Sequence, residues 1–288
     1  MSLAVVHTRA RFGVRAPEVR VEVFLAGGLP SMAIVGLGST AVRESRDRIR
    51  AALQASQFEL PSKRITVNLA PADLPKDGAR FDLPIAIGLL AAAGHVPLQS
   101  VRDTELLGEL SLSGALRDVS GCLPAAMAAC AAGRSVIVPE GNAGEAACAS
   151  GAVVFSARTL AQVVAHLRGE ASLPRAVAQR EASIQKAQLD LADVVGQTQA
   201  KRALEIAAAG AHALRFIGPP GCGKTLLASR LPGLLPPLQD SEALELAVIR
   251  SVSGRRDGTA WPTERPFRSP LHGSSAVALV GGGCEFYK

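Results

Sequence analysis

Aromatic residues are scarce in this chain of 288 residues, since eight Phe, one Trp and one Tyr make up only 3% of it. Proteins that hold unpaired nucleic-acid bases depend on stacking those bases against aromatic rings. With so few rings available, we expect any contact with DNA to run through the phosphate backbone and to depend weakly on base sequence.

Long hydrophobic runs are also missing. The longest, residues 83–93, contains Pro84 and Gly88 and is far shorter than the roughly 20 residues that cross a bilayer. Near the N-terminus, His7 and Arg9 interrupt the apolar residues, so the apolar stretch of a secretory signal is not found. We therefore expect no membrane span and a cytoplasmic location.

Cysteines are few and poorly placed for covalent or metal cross-links. The five cysteines are an odd number, none forms a C-x-x-C pair, and no histidine stands beside them at metal-ligand spacing. Neither a disulfide framework nor a zinc site is expected. They are Cys122, Cys130, Cys148, Cys222 and Cys284.

Charge is modest, with 19% charged and 48% hydrophobic residues, a balance typical of a folded globular chain and not of a disordered one. The net charge is +6, and 25 of the 31 basic residues are arginines. This excess is compatible with a polyanionic partner.

Hydrophobic periodicity predicts a mixed α+β layer domain over residues 1 to about 170. We expect a hairpin of strands 19–24 and 32–35, joined at Gly27–Gly28. The further predicted strands are 65–69, 106–112 with a turn at 113–114, 135–138 and 152–155. The predicted helices are 41–53, 83–93, 124–132 and 159–167.

Residues 169–188 lose this periodicity and are rich in Ala, Gln, Arg and Glu, as expected of a connector between domains. A second domain is predicted to begin near Leu191.

The sharpest motif lies at residues 218–225, which match G-x-x-x-x-G-K-[ST]. A short apolar run, 214–217, precedes it and predicts a strand, and a helix-like stretch, 226–231, follows it. In such a phosphate loop, glycines let backbone amides converge on phosphates at the start of a helix. Lys224 is then expected to reach the β- and γ-phosphates of ATP, and the Thr225 hydroxyl to bind Mg²⁺. The predicted nucleotide-binding residues are Gly218, Pro219, Pro220, Gly221, Cys222, Gly223, Lys224 and Thr225.

Cys222 occupies a variable position of this loop. We interpret it as a small filler, with a redox switch as the alternative, since helix N-termini favour thiolates.

Hydrolysis also needs an acidic residue at the end of a second strand. After residue 225 no apolar run ends in Asp-Glu or Asp-Asp, and the tail strand candidate, 276–280, ends in the three glycines 281–283. We expect weak ATP·Mg²⁺ binding and negligible turnover, and we predict no catalytic residue.

Several long strings of the chain resemble the magnesium-chelatase-like AAA+ family that includes bacterial competence proteins. Besides the phosphate loop they are 42–46, 67–75, 231–238, 265–270 and 278–283. The resemblance implies an N-terminal domain of Lon-protease-like fold, related to domain 2 of ribosomal protein S5, followed by an α/β AAA+ module and a helical part. It further implies a homo-hexameric ring that drives ATP-dependent branch migration of DNA during natural transformation.

The chain departs from the family pattern at Leu271, which precedes His272 where a histidine usually follows Arg-Ser-Pro, and again after Gly283. The ending resembles a truncation or frameshift, which would put the Walker B acid, the sensor residue and the arginine finger outside this sequence. The expected domains are a Lon-like domain at 1–170, a linker at 171–190, and a partial AAA+ domain at 191–288.

The Lon-like resemblance also raises the possibility of a Ser-Lys peptidase dyad. Setting the matching segments side by side puts Arg80 at the serine position and Leu123 at the lysine position. Because an arginine cannot act as the nucleophile, we expect a scaffold without a dyad. A magnesium-chelatase-type ATPase subunit and an ATP-dependent peptidase remain as alternative functions.

Two arginine groups are candidate DNA contacts. Arg43, Arg46 and Arg50 share one face of the 41–53 helix, where a solvated face is the competing interpretation. Around Phe12, the group of Arg9, Arg11 and Arg15 is interpreted as part of a fluctuating N-terminus.

Overall fold

The computed structural model describes residues 2–36, 40–76, 78–178, 189–254, 261–271 and 273–275, with the backbone alone for 40–43. The strands are β1 (Ser2–Arg9), β2 (Glu18–Ala26), β3 (Ser31–Val35), β4 (Arg64–Ala70), β5 (Thr104–Leu106), β6 (Glu109–Leu110), β7 (Leu116–Arg117), β8 (Ser135–Pro139) and β9 (Val154–Ala157). The helices are α1 (Thr40–Ala55), α2 (Asp82–Ala92), α3 (Leu98–Arg102), α4 (Cys122–Ala131), α5 (Glu140–Ala146), α6 (Leu160–Leu167), α7 (Thr198–Gly210), α8 (Lys224–Ala228), α9 (Leu231–Leu234) and α10 (Asp240–Ser253). Short 3-10 helices lie at Ala79–Phe81 and Leu191–Asp193.

The chain divides into two units. The first consists of Met1–Arg180 and Leu244–Trp261, and the second of Glu181–Ala243 and Pro262–Lys288. Residues of α10 from Leu244 onward therefore belong to the first unit. The domain boundaries proposed from the sequence stay a prediction.

The first unit contains a seven-stranded mixed sheet in the order β3-β4-β2-β1-β5-β8-β9. The pairs β1–β2 and β2–β4 are antiparallel, and the four other neighbouring pairs are parallel. Strands β6 and β7 form a separate two-stranded ribbon. This parallel-dominated sheet with helices between its strands is an α/β arrangement, which agrees with the mixed α and β content expected from the sequence.

Helix α2 forms the centre of the first unit's core. All eleven of its residues are buried, and it packs against β1 and β2. The inward-facing residues of β2 alternate along the strand, with Val19, Val21 and Val23 fully buried. The predicted helix at 83–93, the alternating strand at 65–69, and the helices at 41–53, 124–132 and 159–167 are confirmed by α2, β4, α1, α4 and α6. Strands β8 and β9 confirm the two predicted at 135–138 and 152–155.

The predicted hairpin of strands 19–24 and 32–35 is wrong. Both strands form, but β4 lies between them, and Ile34 of β3 pairs in parallel with Val67 of β4. The Gly27–Gly28 segment therefore leads to a strand two positions away in the sheet. Local alternation predicts a strand but not its neighbour, because the neighbour is set by packing of residues distant in sequence.

The interpretation of the N-terminus as fluctuating is also wrong. Residues 2–9 form β1, which pairs along its whole length with β2 and through His7 with Glu105 of β5. Arg9 is buried, and its guanidinium makes two hydrogen bonds to the Glu105 carboxylate, at 2.7 and 2.6 Å. A charged residue is compatible with this buried strand because its counter-charge is buried with it.

Two further details differ from the sequence prediction. The strand expected at 106–112 is divided between β5 and β6, which belong to different sheets, although the turn at Gly114 is present with φ of +82°. In the expected linker, Ala176 donates a backbone hydrogen bond to Val154 at 2.9 Å, and Leu173 is buried in the core. Residues 179–188 lie outside the described residues.

The second unit has a small core of its own, formed by Leu191, Val194, Leu204 and Leu227. The strand expected at 214–217 is not formed; these residues have no regular structure, and Ile217 is 82% exposed. In the described ranges no strand lies beside this segment, so its backbone lacks the partner that a strand needs. The strand candidate at 276–280 and the glycines 281–283 lie outside the described residues.

Within the described ranges, none of the helices has the length and apolar character needed to cross a membrane.

Candidate nucleotide-binding site

The glycine-rich loop leads directly into helix α8. Gly221 and Gly223 have φ of +81° and +89°, in the left-handed region that residues with a Cβ avoid. A Cβ at either glycine would meet no atom within 4 Å, so the space beside the loop is open. Gly223 is the N-cap of α8 and no side chain caps its first turn. The loop thus combines open space with uncapped amides at the start of a helix.

Both ends of the loop are held by the core of the second unit. Leu227, in α8, is 3% exposed and belongs to that core. On the other side of the loop, Phe216 packs against the same cluster. The residues between, 218–221, are exposed. The loop is therefore anchored at its ends and accessible in its middle.

Lys224 folds back onto the loop. Its ammonium Nζ donates hydrogen bonds to the carbonyl oxygens of Gly218 and Pro219, at 2.8 and 2.7 Å. It also lies 3.5 Å from Sγ of Cys222, whose thiol is free and half-buried. An ammonium has three donors, and these contacts employ them. An anion that binds Lys224 must take the place of these carbonyl groups.

The other residues predicted to bind the nucleotide are accessible to solvent. Pro219, Pro220 and Thr225 are exposed, so the Thr225 hydroxyl is accessible at the first turn of α8. In the part of the chain that the structure describes, no group of three or more His, Cys, Asp or Glu side chains forms a metal site.

Two strings that carry the family resemblance meet in the second unit. Arg265 donates to both carboxylate oxygens of Glu242, at 3.1 and 2.8 Å, and its Nε donates to the Pro236 carbonyl at 2.9 Å. The backbone N–H of Gln239 also donates to Glu242. That N–H, followed by the Arg265 guanidinium, lowers the pKa of the Glu242 carboxyl.

Sequence reasoning missed Glu242. The available signal was a Glu three residues after Gln239, the spacing at which an acidic side chain caps the start of a helix. Its partner Arg265 lies 23 residues further along the chain and has no such local signal.

The two positions matched to a peptidase dyad lie in the first unit. Arg80 is 4% exposed, directly before α2, and Leu123 is fully buried in α4. Neither side chain offers a nucleophile or a basic amine. Nε and Nη2 of Arg80 have no hydrogen-bond partner among the described residues.

The structure describes only some of the candidate DNA-contacting arginine side chains. Arg46 is exposed and pairs with its neighbour Asp47 at 3.4 Å, Arg50 is exposed, and the Arg43 side chain lies outside the described residues. Because Arg9 is paired with Glu105 inside the sheet, it is not available to a phosphate.

Family comparisons match both parts of the chain. Residues 21–142 match the model described as subunit ChlI of Mg-chelatase, and residues 190–288 match magnesium chelatase, subunit ChlI. Together with the α/β fold, these matches define a magnesium-chelatase-like protein.

Comparison with individual proteins identifies the family within this class. The chain is 52% identical over 283 residues to YifB of Salmonella typhimurium and 50% identical over 288 residues to competence protein ComM of Haemophilus influenzae. It belongs to the magnesium-chelatase-like family of ComM and YifB. The alignments cover 98% of this chain and 56% of each relative, so the chain spans about half the length of these relatives.

A more distant similarity is to a protease. A Lon protease of Trichlorobacter lovleyi is 27% identical over 148 residues, which is 49% of this chain and 18% of that protein.

Proposed function

We propose that residues 218–225 bind ATP with Mg²⁺ and that the chain is the nucleotide-binding part of a ring-forming AAA+ DNA motor of the ComM type. The observation that carries the first half is the open loop between Gly218 and Gly223, which ends at an uncapped helix start beside the Lys224 ammonium. Phosphate groups favour backbone amides, a helix N-terminus and an ammonium placed together.

The residues present fit the nucleotide and its metal. On binding, the Lys224 ammonium exchanges the carbonyls of Gly218 and Pro219 for phosphate oxygens. The exposed Thr225 hydroxyl, with oxygens of the triphosphate, would hold Mg²⁺. The bound Mg²⁺ supplies positive charge that neutralises the phosphates.

The test is the affinity of the 288-residue chain for a fluorescent ATP analogue with Mg²⁺. Replacing Lys224 by Ala removes a charge-assisted contact, and we expect affinity to fall about 10- to 100-fold. Lys201→Ala is the matched control, because it removes the same charge from α7 in the same unit, outside the loop. Equal affinities of the Lys224→Ala and Lys201→Ala variants would contradict the proposal.

We further propose that these 288 residues alone hydrolyse ATP negligibly. Residues 226–288 contain no apolar run ending in two acidic residues, the feature that holds Mg²⁺ and helps to orient water. Steady-state phosphate release well above that of the Lys224→Ala variant would overturn this.

The role in a DNA motor rests on similarity to ComM, a competence protein by name. In this proposal, residues 1–170 form a Lon-like scaffold, 171–190 a linker and 191–288 part of an AAA+ module. Six copies assemble into a ring, and DNA is contacted through its phosphate backbone. Stimulation of a full-length relative's ATPase by branched DNA is the expected result.

Two alternatives are separated in the same assay. The family models favour a chelatase-type subunit, for which porphyrin in place of DNA would stimulate the ATPase. The Lon similarity favours a peptidase, for which casein would stimulate it. The buried Arg80 and Leu123 at the dyad positions argue against the peptidase.

A further inference from the structure

Arg80 carries a charge that the first unit does not neutralise by a hydrogen bond. Its side chain is 4% exposed, and neither Nε nor Nη2 has an acceptor among the described residues. Burial lowers the pKa of this guanidinium, although an arginine keeps its proton in proteins. Burying N–H groups of a cation without acceptors is unfavourable, so an oxyanion that reaches Nε and Nη2 gains a large interaction.

A cavity of about 210 Å³ provides the room for such an anion. Its lining includes Arg80, Arg11, Ser120 and Gly78, and also the acidic residues Glu109 and Asp118. A water molecule takes up about 30 Å³ of liquid, so the cavity has space for a phosphate-sized ion with a few waters. A Cβ at Gly121 would lie 3.8 Å from Nη1 of Arg80 and 3.8 Å from Cγ of Arg11, so both arginines flank the start of α4.

The donors around the cavity suit an ion with several oxygens. Nη1 of Arg11 donates to the Ser120 Oγ at 3.1 Å, so the Ser120 hydroxyl accepts there and its own proton is available to an anion. Arg80 adds the N–H groups on Nε and Nη2. Guanidinium groups match the planar or tetrahedral arrangement of oxyanions with paired hydrogen bonds.

Two of the nearby acids have partners of their own, although the charge of Glu145 also acts on Arg80. Glu109 pairs with Arg117 at 3.6 Å. Glu145 accepts a hydrogen bond from Asn142 at 2.8 Å. Cys122 lies near Arg80 too, and its Sγ is 3.6 Å from the Val119 carbonyl oxygen.

We propose that the cavity at Arg80, Arg11 and Ser120 binds a small oxyanion of the phosphate type. This site belongs to the first unit and is separate from the loop at 218–225. Arg80, which binds the anion in this proposal, occupies the position matched to the nucleophilic serine of a peptidase.

The test measures thermal unfolding and calorimetric binding in phosphate and in chloride of equal ionic strength. The 288-residue chain with Lys224→Ala serves as the parent, so that the phosphate loop contributes less. The comparison with Arg80→Gln then assigns the response to the cavity, whether or not the proposed nucleotide site exists. For a dissociation constant of about 1 mM, phosphate at 50 times that concentration raises the midpoint by about 5 °C, and the calorimetric binding isotherm saturates. A parent without any saturable response to phosphate overturns the proposal.

Adding Arg80→Gln should abolish the phosphate response and raise the midpoint in chloride, because the unpaired buried charge is gone. Arg20→Gln removes an exposed arginine of β2 that does not line the cavity, and it should keep the full response. If Arg80→Gln does not fold, Ser120→Ala decides, since it should weaken phosphate binding about tenfold through loss of one donor. A phosphate response unchanged by Arg80→Gln, or by Ser120→Ala in that case, overturns the proposal.

Discussion

Gly223 holds the turn from the loop into α8 with φ of +89°. An alanine there meets no atom within 4 Å, so its cost comes from the backbone conformation alone, about 1 kcal/mol. We expect Gly223→Ala to lower the free energy of unfolding of the second unit by that amount and to weaken ATP binding. Chemical denaturation and ATP-analogue titration measure the two effects.

Gly273→Ala is the matched control for this prediction. Its added Cβ also meets open space, but its φ lies outside the left-handed range. It should change neither quantity, and equal effects of the two substitutions would show that backbone conformation is not the cause.

Glu18 joins the ends of two strands through its carboxylate. Its Oε1 lies 2.8 Å from Nδ1 of His7 and 3.3 Å from Nη1 of Arg134. Partial burial acts to raise the pKa of Glu18, but the hydrogen bond with His7 and the charge of Arg134 outweigh it, and the pKa is lowered. The folded state therefore favours the ionised form of this carboxyl group.

The lowered pKa of Glu18 predicts a pH-dependent contribution to stability. The contribution is present above the ordinary glutamate pKa of about 4.3 and is lost as the pH falls through the lower folded value. Glu18→Gln should therefore destabilise the first unit at pH 5 and have a smaller effect at pH 3. Urea denaturation at both pH values measures this, with the exposed Glu59→Gln as control; a difference that grows toward pH 3 would be the wrong sign.

Helix α2 crosses the sheet closely enough that Gly88 has no room for a side chain. A Cβ at Gly88 would lie 2.7 Å from Cγ2 of Val23 in β2. A glycine-to-alanine change usually stabilises a helix by about 1 kcal/mol, but here overpacking costs about 1–3 kcal/mol and the result is destabilising. We expect Gly88→Ala to lower the midpoint of thermal unfolding.

Val23→Ala tests the cause of that loss. It removes the methyl groups that the new Cβ would meet, so Gly88→Ala should cost less in the Val23→Ala background than in the parent chain. A cost that is the same in both backgrounds, measured as a double-mutant cycle, would place the strain elsewhere.

Periodicity predicted the elements whose patterns are local and regular. The alternation of Ile65, Val67 and Leu69 gave β4, and the apolar run at 83–93 gave α2. Strand β1 was missed because His7 and Arg9 break its apolar pattern. Their partners, Glu18 and Glu105, are separated from them by 11 and 96 residues, and no local rule connects them.

At the scale of the whole molecule, the phosphate-loop motif predicted where the candidate site lies, but not the contacts or the conformation of the residues around it. The sequence identified residues 218–225, since their spacing is dictated by phosphate chemistry. It did not predict that Lys224 bonds to Gly218 and Pro219, nor that 214–217 forms no strand. The contacts of Lys224, the conformation of 214–217 and the burial of Arg80 all depend on neighbours that are distant in sequence.

The first unit extends beyond residue 170, the boundary expected from the sequence. Leu173 is 7% exposed in its core, Ser156 donates a backbone hydrogen bond to Pro174 at 3.1 Å, and Ala176 donates one to Val154 at 2.9 Å. Burying a leucine contributes about 2 kcal/mol and each hydrogen bond about 1 kcal/mol or less. At about 3 °C per kcal/mol for a domain of this size, the segment should raise the midpoint by about 6–12 °C.

A fragment of residues 1–178 should therefore unfold cooperatively at a higher temperature than a fragment of residues 1–170, in calorimetry at equal concentration. Leu173→Ala in the longer fragment removes the buried side chain and keeps the backbone bonds, so its midpoint should fall between the other two. Equal midpoints for 1–170 and 1–178 would mean that residues 171–178 do not contribute to the stability of the sheet, and the boundary at 170 would then be the better one.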